Sequence, residues 1–194
     1  MFVEFNPLYG LVALIVILIV LRRKGKSLPW LFFFSLFGLY LIQVISLAIF
    51  PFPIDIPYEN FKPNLNLIPF NFGHCDPRGI ELCFRQIYEN ILLTVPFGFG
   101  VNFIARIKPR QIWRLAAGVG LTLEFIQLAI SLTFRTSYRV VDINDVILNA
   151  AGVLIGYGVF RVFGWTYSQL LQRLSLQPRH IFAYVYIITH PPIH

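Results

Sequence analysis

Trp30-Leu-Phe-Phe-Phe-Ser-Leu-Phe-Gly-Leu-Tyr-Leu-Ile-Gln-Val-Ile-Ser-Leu-Ala-Ile-Phe50 contains no charged residue and runs directly into Pro51-Phe-Pro53. A helix needs ~20 predominantly apolar residues to cross ~30 Å of hydrocarbon. This run has that length, and the prolines end it because a proline inside a helix forfeits a backbone hydrogen bond. The stretch reads as a membrane-spanning helix, and its neighbours repeat the pattern.

Upstream, Leu8 to Leu21 is shorter, and Phe2, Val3 and Phe5 are expected to lengthen it, with Glu4 at its outer edge. Downstream, Gln86 to Ala105, Ile112 to Phe134 and Ile143 to Phe163 are three further apolar runs, separated by Arg106-Ile-Lys108-Pro-Arg110 and by Arg135 to Asp142. A chain that is 57% hydrophobic and 13% charged, with a mean hydropathy of +0.68, does not have the composition of a soluble domain. The expected fold is all-α: a polytopic bundle of about five transmembrane helices. Residues 1–50 form two spans with a basic inner loop, 51–86 an outer loop, 87–163 a three-helix core, and 164–194 an inner interfacial tail.

Orientation follows from the basic residues. Of the 16 Lys and Arg, eleven fall at or beyond one set of helix ends and five on the opposite loops, so the positive-inside rule puts the N-terminus outside and the C-terminus inside. A cleaved signal peptide would carry its positive charge before the apolar stretch, with a small-residue cleavage site after it. Here Arg22, Arg23, Lys24 and Lys26 follow the stretch, which favours an uncleaved helix. The net charge of +7 is accounted for by these flanks, and no nucleic-acid-binding module accompanies it. In the tail, Leu170, Leu171, Leu174 and Leu176 form one apolar stripe, the pattern of an interfacial helix. Ile181 to Ile188 is too short to span alone and reads as surface-lying or re-entrant.

Ionisable residues inside a span cost at least ~2.5–3.5 kcal/mol to insert and normally face the bundle interior. Glu124 is in the middle of the fourth span with Gln127 on the same face. The fifth opens Arg139-Val-Val-Asp142-Ile-Asn-Asp145-Val-Ile-Leu-Asn149-Ala-Ala-Gly152-Val-Leu-Ile-Gly156. At ~100° per residue, Asp142, Asp145, Asn149, Gly152 and Gly156 share an arc of roughly 80°. Its outer part is polar. Its inner part, Gly152-xxx-Gly156, is a small-residue ridge that lets another helix approach.

Asp142 stands where a helix N-terminus favours negative charge, and an ion pair with Arg139 or Arg135 is the structural alternative to function for both aspartates; the deeper Asp145 is the stronger functional candidate. On the third span Asn90 and Thr94 share a face, and Pro96 with Gly98 either kinks the helix and frees carbonyls or serves simple packing with Gly100. His74-Cys75-Asp76 and Cys83 fit no strong zinc pattern. Free thiols are the leading reading there, ahead of an extracellular Cys75–Cys83 disulfide and of a metal, and His180, His190 and His194 are assigned no chemistry. No cofactor is expected.

Several of these segments resemble the VanZ-like family of bacterial membrane proteins. Asn66-Leu-Ile-Pro69-Phe70 resembles its loop motif, and Asn90-Ile-Leu-Leu-Thr-Val-Pro96-Phe-Gly98-Phe its kinked helix. Glu124-xx-Gln127 and Arg139-xx-Asp142-xx-Asp145-xxx-Asn149-xx-Gly152-xxx-Gly156 are similar to its last two helices. The resemblance covers roughly Asn64 to Phe160; the tail beyond Trp165 departs from it. It implies a link to the cell envelope and, for the family's namesake, to resistance against teicoplanin-type glycopeptides, but it supplies no reaction.

Two functions of different class are expected from these residues. The first is an outer polar cavity that binds or modifies a membrane lipid or lipid-linked envelope precursor. Asn66, Asn90, Gln127, Arg139, Asp142 and Asn149 would contact the ligand, Arg139 would hold an anionic group, and Glu124 or Asp145 would serve as base if there is catalysis. No serine or cysteine nucleophile with a histidine partner is visible. The second is a small transporter moving a proton or lipid past Glu124.

Overall fold

In a computed structural model, the chain is described over residues 2–54, 61–72, 80–136 and 139–190. Its helices are α1 (Pro7–Arg23), α2 (Leu28–Ile49), α3 (Ile80–Gly100), α4 (Ile112–Phe134), α5 (Ile143–Arg173) and α6 (Ile181–Thr189), with a 3-10 turn at Val101–Phe103. Four two-residue strands, β1 (Phe2–Val3), β2 (Phe52–Pro53), β3 (Leu65–Asn66) and β4 (Val141–Asp142), make two small bridges: β1 antiparallel to β2, and β3 parallel to β4. The helices α2, α4 and α5 are long and apolar enough to cross a membrane. Their outward residues agree with a lipid environment, with Leu121 56%, Phe125 69% and Ile155 49% exposed. Such side chains facing water together would form a large apolar patch.

Some boundaries differ from those the sequence predicts. Phe2, Val3 and Phe5 do not extend α1. Pro7 holds the first helical position and restricts Asn6 to extended backbone, where its side chain accepts from the Leu8 amide at 3.0 Å. The residues before it pair instead with the segment after α2 (Phe2 opposite Pro53, Val3 opposite Phe52). Helix α3 starts at Ile80 rather than Gln86, so Glu81, Arg85 and Glu89 all lie on it. Helix α5 does not stop at Phe163. Nothing between Gly164 and Arg173 breaks it, and its 31 residues, at ~1.5 Å each, exceed the hydrocarbon thickness. Of the stripe expected to form a separate interfacial helix, Leu170 and Leu171 belong to the end of α5 and Leu174 caps it. Helix α6 then turns back onto the bundle: Val185 packs with Phe103 and Phe160, and the Tyr184 hydroxyl donates to the Phe103 carbonyl at 2.6 Å.

Helices α3 and α5 form the centre of the bundle, and glycines set their separation. A methyl group on Gly98 would overlap the Val153 carbonyl, one on Gly152 the Ile91 carbonyl and the Thr94 hydroxyl, and one on Gly156 the Val95 carbonyl. Backbones in this contact gain dispersion and local polar bonds that bulkier residues would prevent. Helix α4 joins through Gly120, which lies against the Val146 carbonyl. Helix α3 continues through Pro96, whose missing N–H weakens the preceding turn. The nearby Leu93 carbonyl accepts from the Tyr40 hydroxyl of α2 at 2.6 Å.

Candidate functional site

The N-terminus of α5 organises the polar residues. Asp142 is its cap: Oδ1 accepts from the Asn144 amide at 2.8 Å, the bond that helix N-termini require. The same carboxylate reaches outward through Oδ2, which accepts from the Asn66 amide group at 3.0 Å and from Gln86 at 3.4 Å. Capping and site-building are therefore both performed by one side chain that is 6% exposed. The backbone N–H of Asp142 donates to Glu124 Oε2 at 2.9 Å. That bond gives the buried Glu124 a partner and attaches α4 to the start of α5.

One turn further in, Asp145 Oδ1 accepts from Gln86 at 2.9 Å and from Asn90 at 2.8 Å. Asn90 also donates to the Gln86 carbonyl at 3.1 Å, and its own Oδ1 accepts from Asn149 at 3.4 Å. Thr94, on the same face of α3, donates to the Asn149 carbonyl at 2.7 Å. Gln86, Asn90 and Thr94 are spaced by four and line one side of α3, opposite the Asp142, Asp145 and Asn149 face of α5. Asn149 is 1% exposed, and its Oδ1 has no hydrogen-bond partner among the described residues. A buried acceptor left in that condition costs about 1–3 kcal/mol.

These groups open onto one cavity of about 880 Å³ between α2, α3, α4 and α5. Asn90, Gln127, Arg139, Asp142, Asp145 and Asn149 line it. Gln127 donates to the Ala48 carbonyl at 2.9 Å, and Arg139 to the Leu47 carbonyl at 3.0 Å, so both also hold the end of α2. Arg139 is close enough to interact electrostatically with Glu124 and Asp145. At the mouth, Arg85 and Glu89 pair at 2.7 Å across one turn of α3.

Not every predicted residue reaches the cavity wall. Glu124 stands one hydrogen bond behind it, through Asp142, and does not line it. Asn66 is likewise outside, buttressing Asp142 and donating to the Asn71 carbonyl at 2.8 Å. Phe70 adopts positive φ (62°), and its backbone N–H donates to Asn144 Oδ1. The segment around Pro69 is thus fastened to α5 through backbone groups. Pro96, Gly98, Gly152 and Gly156 lie below the cavity at the α3–α5 contact.

Sequence reasoning missed two participants. Gln86, which bridges both aspartates, carries a readable signal in its four-residue spacing from Asn90, although it stands at the edge of the apolar run. Asn144 is 1% exposed and holds the Phe70 and Asn71 backbones. It lies off the polar arc of α5 and faces the loop, so helical periodicity gave no indication of it.

The cysteine expectation is corrected. Cys83 is disulfide-bonded rather than a free thiol; Cys75, with His74 and Asp76, lies outside the described residues, as does His194. Among the described residues no group of three or more His, Cys, Asp or Glu could hold a metal. His190 contacts Ser168 at 2.8 Å on the tail side, far along α5 from the cluster.

Residues 37–164, which run from within α2 to within α5 and include the whole of α3 and α4, match the VanZ/LLP1 family. Protein VanZ of Enterococcus faecium is 29% identical over 131 residues, covering 65% of this chain and 71% of that protein. No solved structure matches. The chain belongs to the VanZ/LLP1 family.

Proposed function

We propose that this chain is a multi-pass protein of the bacterial cytoplasmic membrane whose outward-facing cleft binds the polar head of a membrane lipid or lipid-linked envelope precursor. The observation that carries this reading is the convergence of Asp142, Asp145, Gln86, Asn90 and Asn149 on one cavity beside apolar helices. Polar groups at membrane depth are costly, and a site is the usual reason to retain them.

About five crossings, with the N-terminus outside and the C-terminus inside, fit the packing. Helix α1 lies along α2, with Leu14 against Gly38 and Ile42 against Gly10, and α3 lies along α5 through their glycines. The cleft is then at the outer ends, while Arg22, Arg23, Lys24, Lys26 and Arg106 to Arg114 are at the inner ends. Arg139 on the cavity wall suits a phosphate, because a guanidinium presents a planar fork of donors. Binding is favoured over catalysis because Asp145 is engaged by two amides and Glu124 by a backbone N–H.

The finer reading is a contribution to teicoplanin tolerance. The test is to express the wild type, Asp145→Asn and Arg139→Ala in a susceptible Gram-positive host at matched membrane abundance and measure teicoplanin and vancomycin inhibition. The expected outcome is raised teicoplanin tolerance with the wild type, abolished by either substitution. Unchanged inhibition by the wild type rejects the resistance reading.

A further inference from the structure

The end of the bundle opposite the cleft is cationic and carries no carboxylate side chain. Residues 5–54, 90–123 and 146–194 contain no Asp or Glu, yet they hold eleven of the 16 Lys and Arg. These cations stand at the end of α1, before α2, between α3 and α4, and along the last part of α5 and its exit. Lys and Arg set the orientation of a membrane chain, and Asp and Glu contribute little to it. The positive-inside rule therefore accounts for the eleven cations but not for the exclusion of every carboxylate. Among the described residues none of the eleven has a carboxylate partner.

Aromatic side chains gather two of these charges at the end of α3. The last carbonyls of a helix commonly accept from basic side chains. Here Trp30 Nε1 donates to the Ile104 carbonyl at 3.1 Å and the Tyr184 hydroxyl to the Phe103 carbonyl at 2.6 Å, which leaves the cations for another partner. The Lys26 ammonium stands 4.8 Å over the Trp30 ring, and Arg106 is near enough to Tyr184 to act on it electrostatically. Phe33 stacks on both Phe103 and Tyr184, so α2, α3 and α6 share one aromatic layer with Lys26 and Arg106 exposed beside it.

We propose that this end is a docking surface for the anionic phospholipid heads of the inner leaflet, with Lys26 and Arg106 as its principal contacts. A surface of one sign, with no carboxylate to compete, is complementary to a leaflet of negative heads, and each Lys or Arg near such a leaflet strengthens the attraction. The guanidinium of Arg106 suits the phosphate oxygens and the ammonium of Lys26 adds a point charge. Lipid is the occupant because the cations stand at headgroup depth: Trp113 and Trp165, both 66% exposed at this end, are the amphipathic rings that settle at a membrane–water interface. The surface is separate from the cleft and shares only the orientation of the chain with the reading above.

The test mixes the full chain in detergent micelles with equal amounts of phosphatidylglycerol and phosphatidylcholine, and the lipid retained after gel filtration is quantified by mass spectrometry. The wild type is expected to retain phosphatidylglycerol about fivefold over phosphatidylcholine at 0.1 M salt, and the preference to fall toward equality at about 1 M, where exposed charges are screened beyond ~3 Å. Lys26→Gln with Arg106→Gln is expected to remove most of the preference. Lys62→Gln with Arg135→Gln, the same change of charge at the cleft end, is expected to leave it in place. Equal retention of the two lipids by the wild type overturns the proposal, and so does a preference that survives the inner pair of substitutions. An equal fall with the outer pair also overturns it, because the preference would then follow net charge. If the inner variant is not monodisperse, the salt series of the wild type decides, and a preference unchanged at 1 M overturns the assignment. Tighter retention of a single-stranded oligonucleotide than of phosphatidylglycerol at equal phosphate would replace the lipid with nucleic acid as the occupant and overturn it as well.

Discussion

The outer and inner halves of the α3–α5 pair are held by opposite means. Outside, Gln86, Asn90, Asp142, Asp145 and Asn149 meet through directed hydrogen bonds between side chains. Inside, Phe33, Phe99, Phe103, Phe160 and Phe163 meet through rings, with Phe33 stacked on Phe103 at 4.5 Å and Phe103 edge-on to Phe160 at 5.5 Å. A polar network fails when one member is lost, because its partners remain buried and unpaired. An aromatic cluster can re-pack around a change of similar volume. The outer half is thus specified by identity and the inner half by size, and the glycine contact between them depends on the absence of side chains.

The largest loss is expected at that contact. Gly156→Leu forces a side chain into the Val95 carbonyl and should destabilise the bundle by about 3 kcal/mol, read as a large fall in the thermal midpoint of the detergent-solubilised protein. An unchanged midpoint would show that the helices do not approach as described. Next, Asp142→Ala removes the α5 cap and one of the two acceptors of each of the Asn66 and Gln86 amide groups, for an expected loss of about 2 kcal/mol; Asp142→Asn, which keeps an acceptor, should recover part of it. The inner half should be more forgiving, with Phe103→Leu costing about 1 kcal/mol. A greater loss there than at Asp142 would invert the comparison. Smallest of all, Glu89→Gln breaks only an exposed pair and should leave the midpoint unchanged at physiological salt.

The parts of this architecture visible in the sequence are those that repeat with the helix. Asp142, Asp145, Asn149, Gly152 and Gly156 announce one face of α5 because side chains three and four apart share a side. Glu124 announces itself as a charge within an apolar run, but its partner, the backbone N–H of Asp142, belongs to no residue type and leaves no trace in composition. The β3–β4 bridge pairs two residues with two, too few for any periodicity. The start of α1 is written in Asn6-Pro7, a cap followed by a proline suited to the first turn, a local signal that outweighs apolar length. The expected end of α5 at Phe163 follows from the length of its apolar run, although no residue there interrupts the backbone.

The parallel bridge between Leu65–Asn66 and Val141–Asp142 has a consequence for biosynthesis. Asn66 leaves the ribosome long before Asp142, with the whole of α3 and α4 made in between. Until α5 enters the membrane, the Asn66 to Phe70 segment has no partner to fasten it, and Gln86 and Asn90 face a side of α3 that α5 has yet to cover. A chain arrested before residue 141 would therefore carry α1 to α4 and none of the finished polar cluster, so the site is completed only when α5 packs against them.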